Sequence, residues 1–120
     1  MIPPSIVAEQ VKRRKDIYDQ SKAAVHDKLT PLGYRIFVEE YHPESFGHRW
    51  VDWTNGKNSI RFMWEARDSW FYLYTLKGVP QSWMDDWKVI IYIPYDPGQH
   101  DLSYANQIPG KIVASLPKQE

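Results

Sequence analysis

The first part of the chain carries apolar residues at helical spacing. Val11, Tyr18 and Val25 are seven residues apart, and Leu29 follows four residues later. Residues at these separations lie on one face of an α-helix. The pattern therefore predicts a long helix over residues 5–29.

Both ends of this helix carry residues that favour a helix boundary. Ser5 follows two prolines and is a favourable N-cap. Pro31 disfavours helical geometry at the preceding residue, and Gly33 can adopt a positive φ. We therefore expect the helix to begin at Ser5 and to end before Gly33.

After Gly33 the period of the apolar residues changes from 3.6 to 2, which is typical of strands. Turn residues separate the segments, and Asn55-Gly56 is a strong hairpin signal. The connections are too short for parallel crossovers, so we expect an antiparallel meander. The predicted strands cover residues 34–41, 49–54, 59–65 and 69–76, with 88–93 as a fifth.

The C-terminal region predicts short helices. Ser82 is placed to cap one turn, and Asp101 is placed to cap a short helix that reaches Gln107. Pro109 either ends that helix or starts a second helical turn. The order of elements predicts one α+β domain over residues 1–120, with a long N-terminal helix on a meander sheet of four or five strands and short C-terminal helices.

Strand alternation divides the side chains of the sheet between two sides. Ile60, Phe62 and Trp64 are expected to face the long helix, as are Phe71 and Leu73. In the first strand, we expect Tyr34, Ile36 and Val38 on one side, and Phe37 and Tyr41 on the other. The candidate binding residues on the side away from the helix are Phe37, Arg61, Met63, Trp70, Tyr72 and Tyr74.

The types of these candidate residues favour a binding surface. Tyr, Trp, Met and Arg are enriched in protein interfaces, and Trp, Tyr and Arg dominate their hot spots. Two interpretations stay open at this point. The C-terminal segment covers this side of the sheet as a second core, or the side is open for binding.

Composition excludes several functional classes. The formal charge is zero, from 15 Lys and Arg against 15 Asp and Glu, which argues against binding nucleic acid by bulk attraction. The chain has no cysteine, and hence no disulfide, no thiolate metal site and no cysteine nucleophile. An aromatic content of 15% argues against disorder. The N-terminus does not resemble a signal peptide and no segment is apolar enough for a membrane span, so we expect a cytoplasmic protein.

Polar clusters offer weaker candidates. Glu39, Glu40, His42, Glu44 and His48 are potential metal ligands, but their spacing matches no defined metal motif. We interpret them as a solvated strand end. The basic run over residues 12–15 is interpreted in the same way, as a solvated helix face with ion pairs at helical spacing.

Catalytic motifs are missing from the sequence. It contains no G-x-S-x-G, no phosphate-binding glycine loop and no H-E-x-x-H. His26 lies near the buried side of the long helix and is expected to be a hydrogen-bonded packing residue. The absence of these motifs favours a non-enzymatic protein without deciding the matter, and we expect no cofactor and no resident metal.

Acidic residues in the later loops suggest a different role. Asp85, Asp86, Asp96 and Asp101 are candidates for charge complementarity with a basic partner, because inhibitors of nucleases often present acidic groups. The alternative is that they cap turns and helices, as loop aspartates commonly do.

The run FGHRWVDWTNG at 46–56, followed by IRFMWEARDSWFYL at 60–73, resembles small uncharacterised bacterial domains that are immunity-protein-like. The resemblance covers roughly residues 25–75 and implies no catalytic residues. It implies a long first helix and a Leu-Gly-aromatic entry to the first strand. The matching residues are Leu32, Gly33, Tyr34, Phe46, Gly47, Ile60, Arg61, Arg67, Trp70 and Phe71.

The sequence thus predicts a non-enzymatic protein-interaction domain, in its sharpest form an immunity protein that neutralises a bacterial toxin. The expected partner is another protein, such as a toxin, or a second copy of the chain in a homodimer, and neither nucleic acid nor a membrane is expected. One alternative is a small-molecule binding protein with an aromatic-lined pocket between helix and sheet. A less favoured alternative is a small metal-dependent or acid–base hydrolase that uses His42 and His48.

Overall fold

The computed structural model describes residues 3–45 and 47–118, and it has the α+β fold that the sequence predicts. The five strands form one antiparallel sheet in the order β1-β2-β3-β4-β5, which is a meander. The elements are α1 (Pro4–Leu29), β1 (Arg35–His42), β2 (His48–Thr54), β3 (Asn58–Glu65), β4 (Trp70–Lys77), β5 (Lys88–Pro94) and α2 (Leu102–Ala114). Phe46 of the resemblance lies outside the described residues.

The start of α1 differs from the prediction. Pro3 is the N-cap, without a side-chain hydrogen bond, and Pro4 occupies the first helical position, where its missing N–H costs nothing. Ser5 therefore lies inside the helix and does not cap it. The end of α1 agrees with the prediction, because a short 3₁₀ turn follows and Gly33 adopts a φ of 86°.

Both helices pack on the same side of the sheet. Tyr18 of α1 stacks on Phe62 of β3 at 5.0 Å between ring centroids, and Phe62 stacks on Phe71 of β4 at 5.8 Å. The buried residues Ile108 and Ile112 of α2 belong to the same core. The core thus fills the space between the helices and one side of the sheet, and the predicted division of β3 and β4 between the two sides is confirmed by their burial.

The prediction for β1 is wrong in part, because the strand contains a β-bulge. The pairing of β1 with β2 shifts register between Ile36 and Val38. An extra residue in a strand reverses the sides that follow it. Tyr41 therefore lies opposite Arg49 and on the helix side, where the Arg49 guanidinium contacts its ring.

The C-terminal region forms one helix where two short segments were expected. Asp101 caps α2 as predicted, and its carboxylate accepts a hydrogen bond of 2.9 Å from the backbone N–H of Tyr104. Pro109 lies inside the helix and does not end it. The buried side chains of Ile108 and Ile112 flank it on the core side, so tertiary packing holds the helix together across the proline.

His26 is a hydrogen-bonded packing residue, as the sequence predicts. Its Nδ1 accepts a hydrogen bond of 3.0 Å from the indole N–H of the fully buried Trp53. Because Nδ1 is the acceptor, the proton of the neutral ring lies on Nε2. This hydrogen bond connects the end of β2 to α1.

The His26→Ala variant should lower the free energy of unfolding by about 1–3 kcal/mol, because the buried indole N–H of Trp53 loses its acceptor. Urea denaturation followed by tryptophan fluorescence measures the change. Lys28→Ala, at an exposed position of the same helix, is the control and should change stability little. Equal losses in the two variants would contradict the assigned role of His26.

Candidate functional site

The side of the sheet away from the helices carries a continuous group of aromatic rings. Tyr72 pairs with Met63 on β3 and with Tyr92 on β5, and Trp70 and Tyr74 flank it on its own strand. We call these five residues the aromatic face. Four of the predicted candidates therefore come together here, namely Met63, Trp70, Tyr72 and Tyr74.

The rings of the aromatic face pack against one another. Trp70 stacks on Tyr92 with 4.6 Å between centroids and 13° between planes, and Tyr72 stacks on Tyr74 at 5.3 Å and 17°. A stacked pair covers one face of each of its rings, which reduces the ring area available for stacking on a nucleobase. The ring edges and hydroxyls add to what a partner can contact, and Tyr92 is 52% exposed.

The hydroxyls of Tyr72 and Tyr74 are kept protonated by raised pKa values. Burial, with smaller contributions from the neighbouring Tyr72 and Glu65, raises the pKa of Tyr74 to about 12. Burial also raises the pKa of Tyr72, with a contribution from Asp68. These hydroxyls thus remain neutral and able to donate hydrogen bonds at physiological pH.

Arg61 lies beside the aromatic face, but its guanidinium is already paired with a carboxylate of the same sheet. Its guanidinium donates two hydrogen bonds to the buried Asp52, at 2.7 and 3.0 Å. The ring of Trp87 lies 4.3 Å from the same guanidinium, and that of Trp50 lies at 5.8 Å. Arg61 therefore holds the sheet and the β4–β5 loop together, and its charge is not free for a partner.

Burial shifts the pKa of the Asp52 carboxyl more strongly than pairing with Arg61 does. Loss of hydration raises the pKa of the Asp52 carboxyl, and the hydrogen bonds and charge of Arg61 oppose this rise only in part. A bidentate ion pair in a buried position is thus maintained at a cost in solvation.

Phe37, the remaining candidate, lies apart from the other five. It sits at the β1 bulge and lines a separate cavity of about 280 Å³ next to the Asn55-Gly56 hairpin.

The sequence left open whether the C-terminal segment covers this side of the sheet or leaves it open for binding, and the structure bears on both interpretations. The C-terminal helix packs on the opposite side, and the β4–β5 loop covers the corner at Arg61 through Trp87.

The sequence pattern missed Tyr92 on this side of the sheet, as well as two large exposed side chains in the β4–β5 loop. Tyr92 alternates with Ile91 and Ile93 in β5, so extending the alternation to this strand would have found it. Trp83 and Met84 form the tip of the β4–β5 loop and are 92% and 73% exposed. Loops have no periodicity, so the sequence pattern could not assign them to either side.

The four loop aspartates all have local partners. Asp85 accepts hydrogen bonds from the backbone N–H groups of Gln81 and Ser82, at 2.8 and 3.0 Å. Asp86 forms an ion pair of 3.0 Å with Lys88. Asp96 and Asp101 accept backbone N–H groups in the same manner. The capping interpretation of these residues agrees with this geometry.

The histidine and glutamate cluster does not assemble into a metal centre in the part of the chain that the structure describes. His42 Nδ1 lies 2.9 Å from Glu44, and His48 Nδ1 lies 3.6 Å from Glu65 on β3. The His42 ring also stacks on Trp50, with 5.3 Å between centroids. The two histidines thus have different carboxylate partners.

Comparison of the chain with protein-family models, with curated proteins and with solved structures finds no match. The resemblance to immunity proteins therefore stays a prediction. Within residues 3–45 and 47–118, no helix is both long and apolar enough to cross a membrane.

The raised pKa of Asp52 predicts the pH dependence of a variant. A carboxyl with a raised pKa in the folded state contributes stability at low pH that is lost as the pH rises through that pKa. The free energy of unfolding of the wild type, minus that of Asp52→Asn, should therefore increase as the pH falls from about 7 towards the unfolded value near 3.8.

Urea titrations at several pH values measure this difference. Asp86→Asn, which removes an exposed carboxylate of the same charge, is the control and should give a nearly flat difference. A wild-type advantage that shrinks on acidification would show that pairing with Arg61 outweighs burial.

Proposed function

We propose that this chain is a non-enzymatic protein-interaction domain that binds a protein partner through the aromatic face. The observation that carries the proposal is the concentration of partly exposed rings on the side of the sheet opposite both helices. In its sharpest form the partner is a bacterial toxin, and the chain is a cytoplasmic immunity protein that occludes it.

The chemistry of the aromatic face supports a protein partner. Its rings are stacked in pairs, and it offers ring edges, hydroxyls and the Met63 thioether, which suit the varied shapes of a protein surface. Tyr and Trp bury a large area with few rotatable bonds, which limits the entropy lost on binding.

The β4–β5 loop adds further exposed apolar side chains that a partner could cover. Trp83 and Met84 expose large apolar side chains to solvent, and Trp87 of the same loop lies over Arg61 on this side of the sheet. Burying one tryptophan removes about 150–250 Å² from water. A partner that covered the aromatic face and the loop tip together would gain this area, and Asp86 would lie at its rim.

Alanine substitutions at Trp70 and Tyr72 should each weaken partner binding by about 2 kcal/mol or more, which is roughly a thirtyfold rise in Kd. Both side chains lie at the centre of the stacked rings but are only partly buried, so the melting temperature should change little. Calorimetric titration with the partner and thermal unfolding measure the two effects.

A matched pair of tyrosines controls for loss of a ring at an edge strand. Tyr92 on β5 and Tyr41 on β1 are 52% and 55% exposed, but they lie on opposite sides of the sheet. Tyr92→Ala should weaken binding and Tyr41→Ala should not. Equal losses of affinity in the two variants, or a loss of stability in place of a loss of affinity, would contradict the proposal and show that these rings stabilise the fold.

If the chain is an immunity protein, it should also inhibit a toxin. A toxin encoded next to this gene should form a one-to-one complex with the chain and lose its activity, and Trp70→Ala should restore that activity. A stable homodimer in light scattering that Tyr92→Ala dissociates would instead assign the aromatic face to self-association.

A further inference from the structure

A second site lies on the helix side of the sheet, near the β1–β2 connection. A cavity of about 340 Å³ opens between α1 and the end of the sheet. Its walls include Arg14 and Lys15 of α1 and Arg49 of β2, together with the rings of Tyr18 and Tyr41. We call it the anion cavity.

The charges that line the anion cavity all have the same sign. Its lining contains three cationic side chains and, among the described residues, no carboxylate. Lys15 is paired with Asp19 at 2.7 Å. Arg14 has no ion pair within the described part of the chain, and its buried Nε has no hydrogen-bond partner there. This differs from Lys12 and Arg13 in the same basic run, which pair with carboxylates along the helix.

Arg49 lies over two of the aromatic rings that line the cavity. Its guanidinium lies 4.2 Å from the centroid of the Tyr41 ring and 4.9 Å from that of Tyr18. Stacking uses the faces of a guanidinium and leaves its N–H groups, which lie in the plane, to donate to a carboxylate or phosphate. The two rings thus fix the guanidinium without neutralising it.

Tyr18 supplies an independent observation that points to a ligand. Its side chain is only 4% exposed, it lines the cavity, and its hydroxyl has no hydrogen-bond partner among the described residues. An unpaired buried hydroxyl is costly. Burial also raises its pKa, so the hydroxyl stays protonated and can donate. A bound oxyanion would satisfy it.

We propose that the anion cavity binds a small organic anion. The oxyanion head, a carboxylate or a phosphate, accepts hydrogen bonds from Arg14, Arg49 and the Tyr18 hydroxyl, and an apolar body of about one ring packs against Trp64 and Val11. The volume is at the lower end of the range for small-molecule sites, about 300–1,000 Å³. This site is independent of the aromatic face, which lies on the other side of the sheet.

Four probes test the ligand class by calorimetry and by backbone amide shifts: phenylacetate, phenyl phosphate, the neutral phenylacetamide and inorganic phosphate. The two ring-bearing anions should bind one to one, and the neutral amide about tenfold or more weakly. Their relative affinity identifies the preferred head group. Binding of the amide as tight as that of the acid would overturn the proposal, as would no saturation by any anion up to about 10 mM.

Variants of the guanidinium groups locate the site. Arg14→Gln and Arg49→Gln should each weaken the preferred anion about tenfold or more. Arg67→Gln, in the exposed β3–β4 turn, removes the same charge away from the cavity and should leave affinity unchanged. Affinity that falls equally in all three variants would show that net charge, and not this cavity, attracts the anion.

Tyr18→Phe separates a binding role from a structural one. The variant should weaken the anion about fivefold and leave the melting temperature of the free protein unchanged or raised, because it removes an unpaired buried hydroxyl. A fall in melting temperature with unchanged affinity would overturn the role assigned to this hydroxyl. The comparison of acid and amide uses the wild type and does not depend on any variant folding.

Discussion

The packing of both helices on one side of the sheet is the constraint on which both candidate surfaces depend. Phe62 and Phe71 are buried beneath the helices, and alternation then requires their neighbours Met63 and Tyr72 to lie on the opposite side. A strand cannot bury both sets of side chains when only one side is covered by helices. The aromatic face is thus a consequence of the way the core is filled.

The ion pair between Asp52 and Arg61 connects this sheet to its longest loop. Trp87 lies over the Arg61 guanidinium, so the position of the β4–β5 loop depends on a buried carboxylate in β2. Such a pair contributes little net stability against its cost in solvation, but it specifies one geometry. The exposed Trp83 and Met84 therefore project from a loop with a fixed attachment.

The sequence predicted the strands and their sides wherever the side-chain pattern continued unbroken. It failed at β1, because a bulge between Ile36 and Val38 adds one residue and no local pattern marks it. It failed at Pro109, where burial of the neighbouring isoleucines overrides a strong local preference. Periodicity placed Tyr18 on the apolar face of α1, but it could not show that its hydroxyl lacks a partner, which depends on residues distant in sequence.

Although the net charge of the chain is zero, the two sides of its sheet differ: one carries the cationic anion cavity and the other the aromatic face. Along β2, Arg49 contributes to the anion cavity and the next residue, Trp50, lies on the other side beside Arg61. Alternation therefore separates a cationic cavity from an aromatic face by the thickness of one sheet. The side chains that line the cavity are not among those of the aromatic face, so a ligand in one site does not displace a partner at the other. The two sites can thus be occupied together, and neither needs the other to be formed.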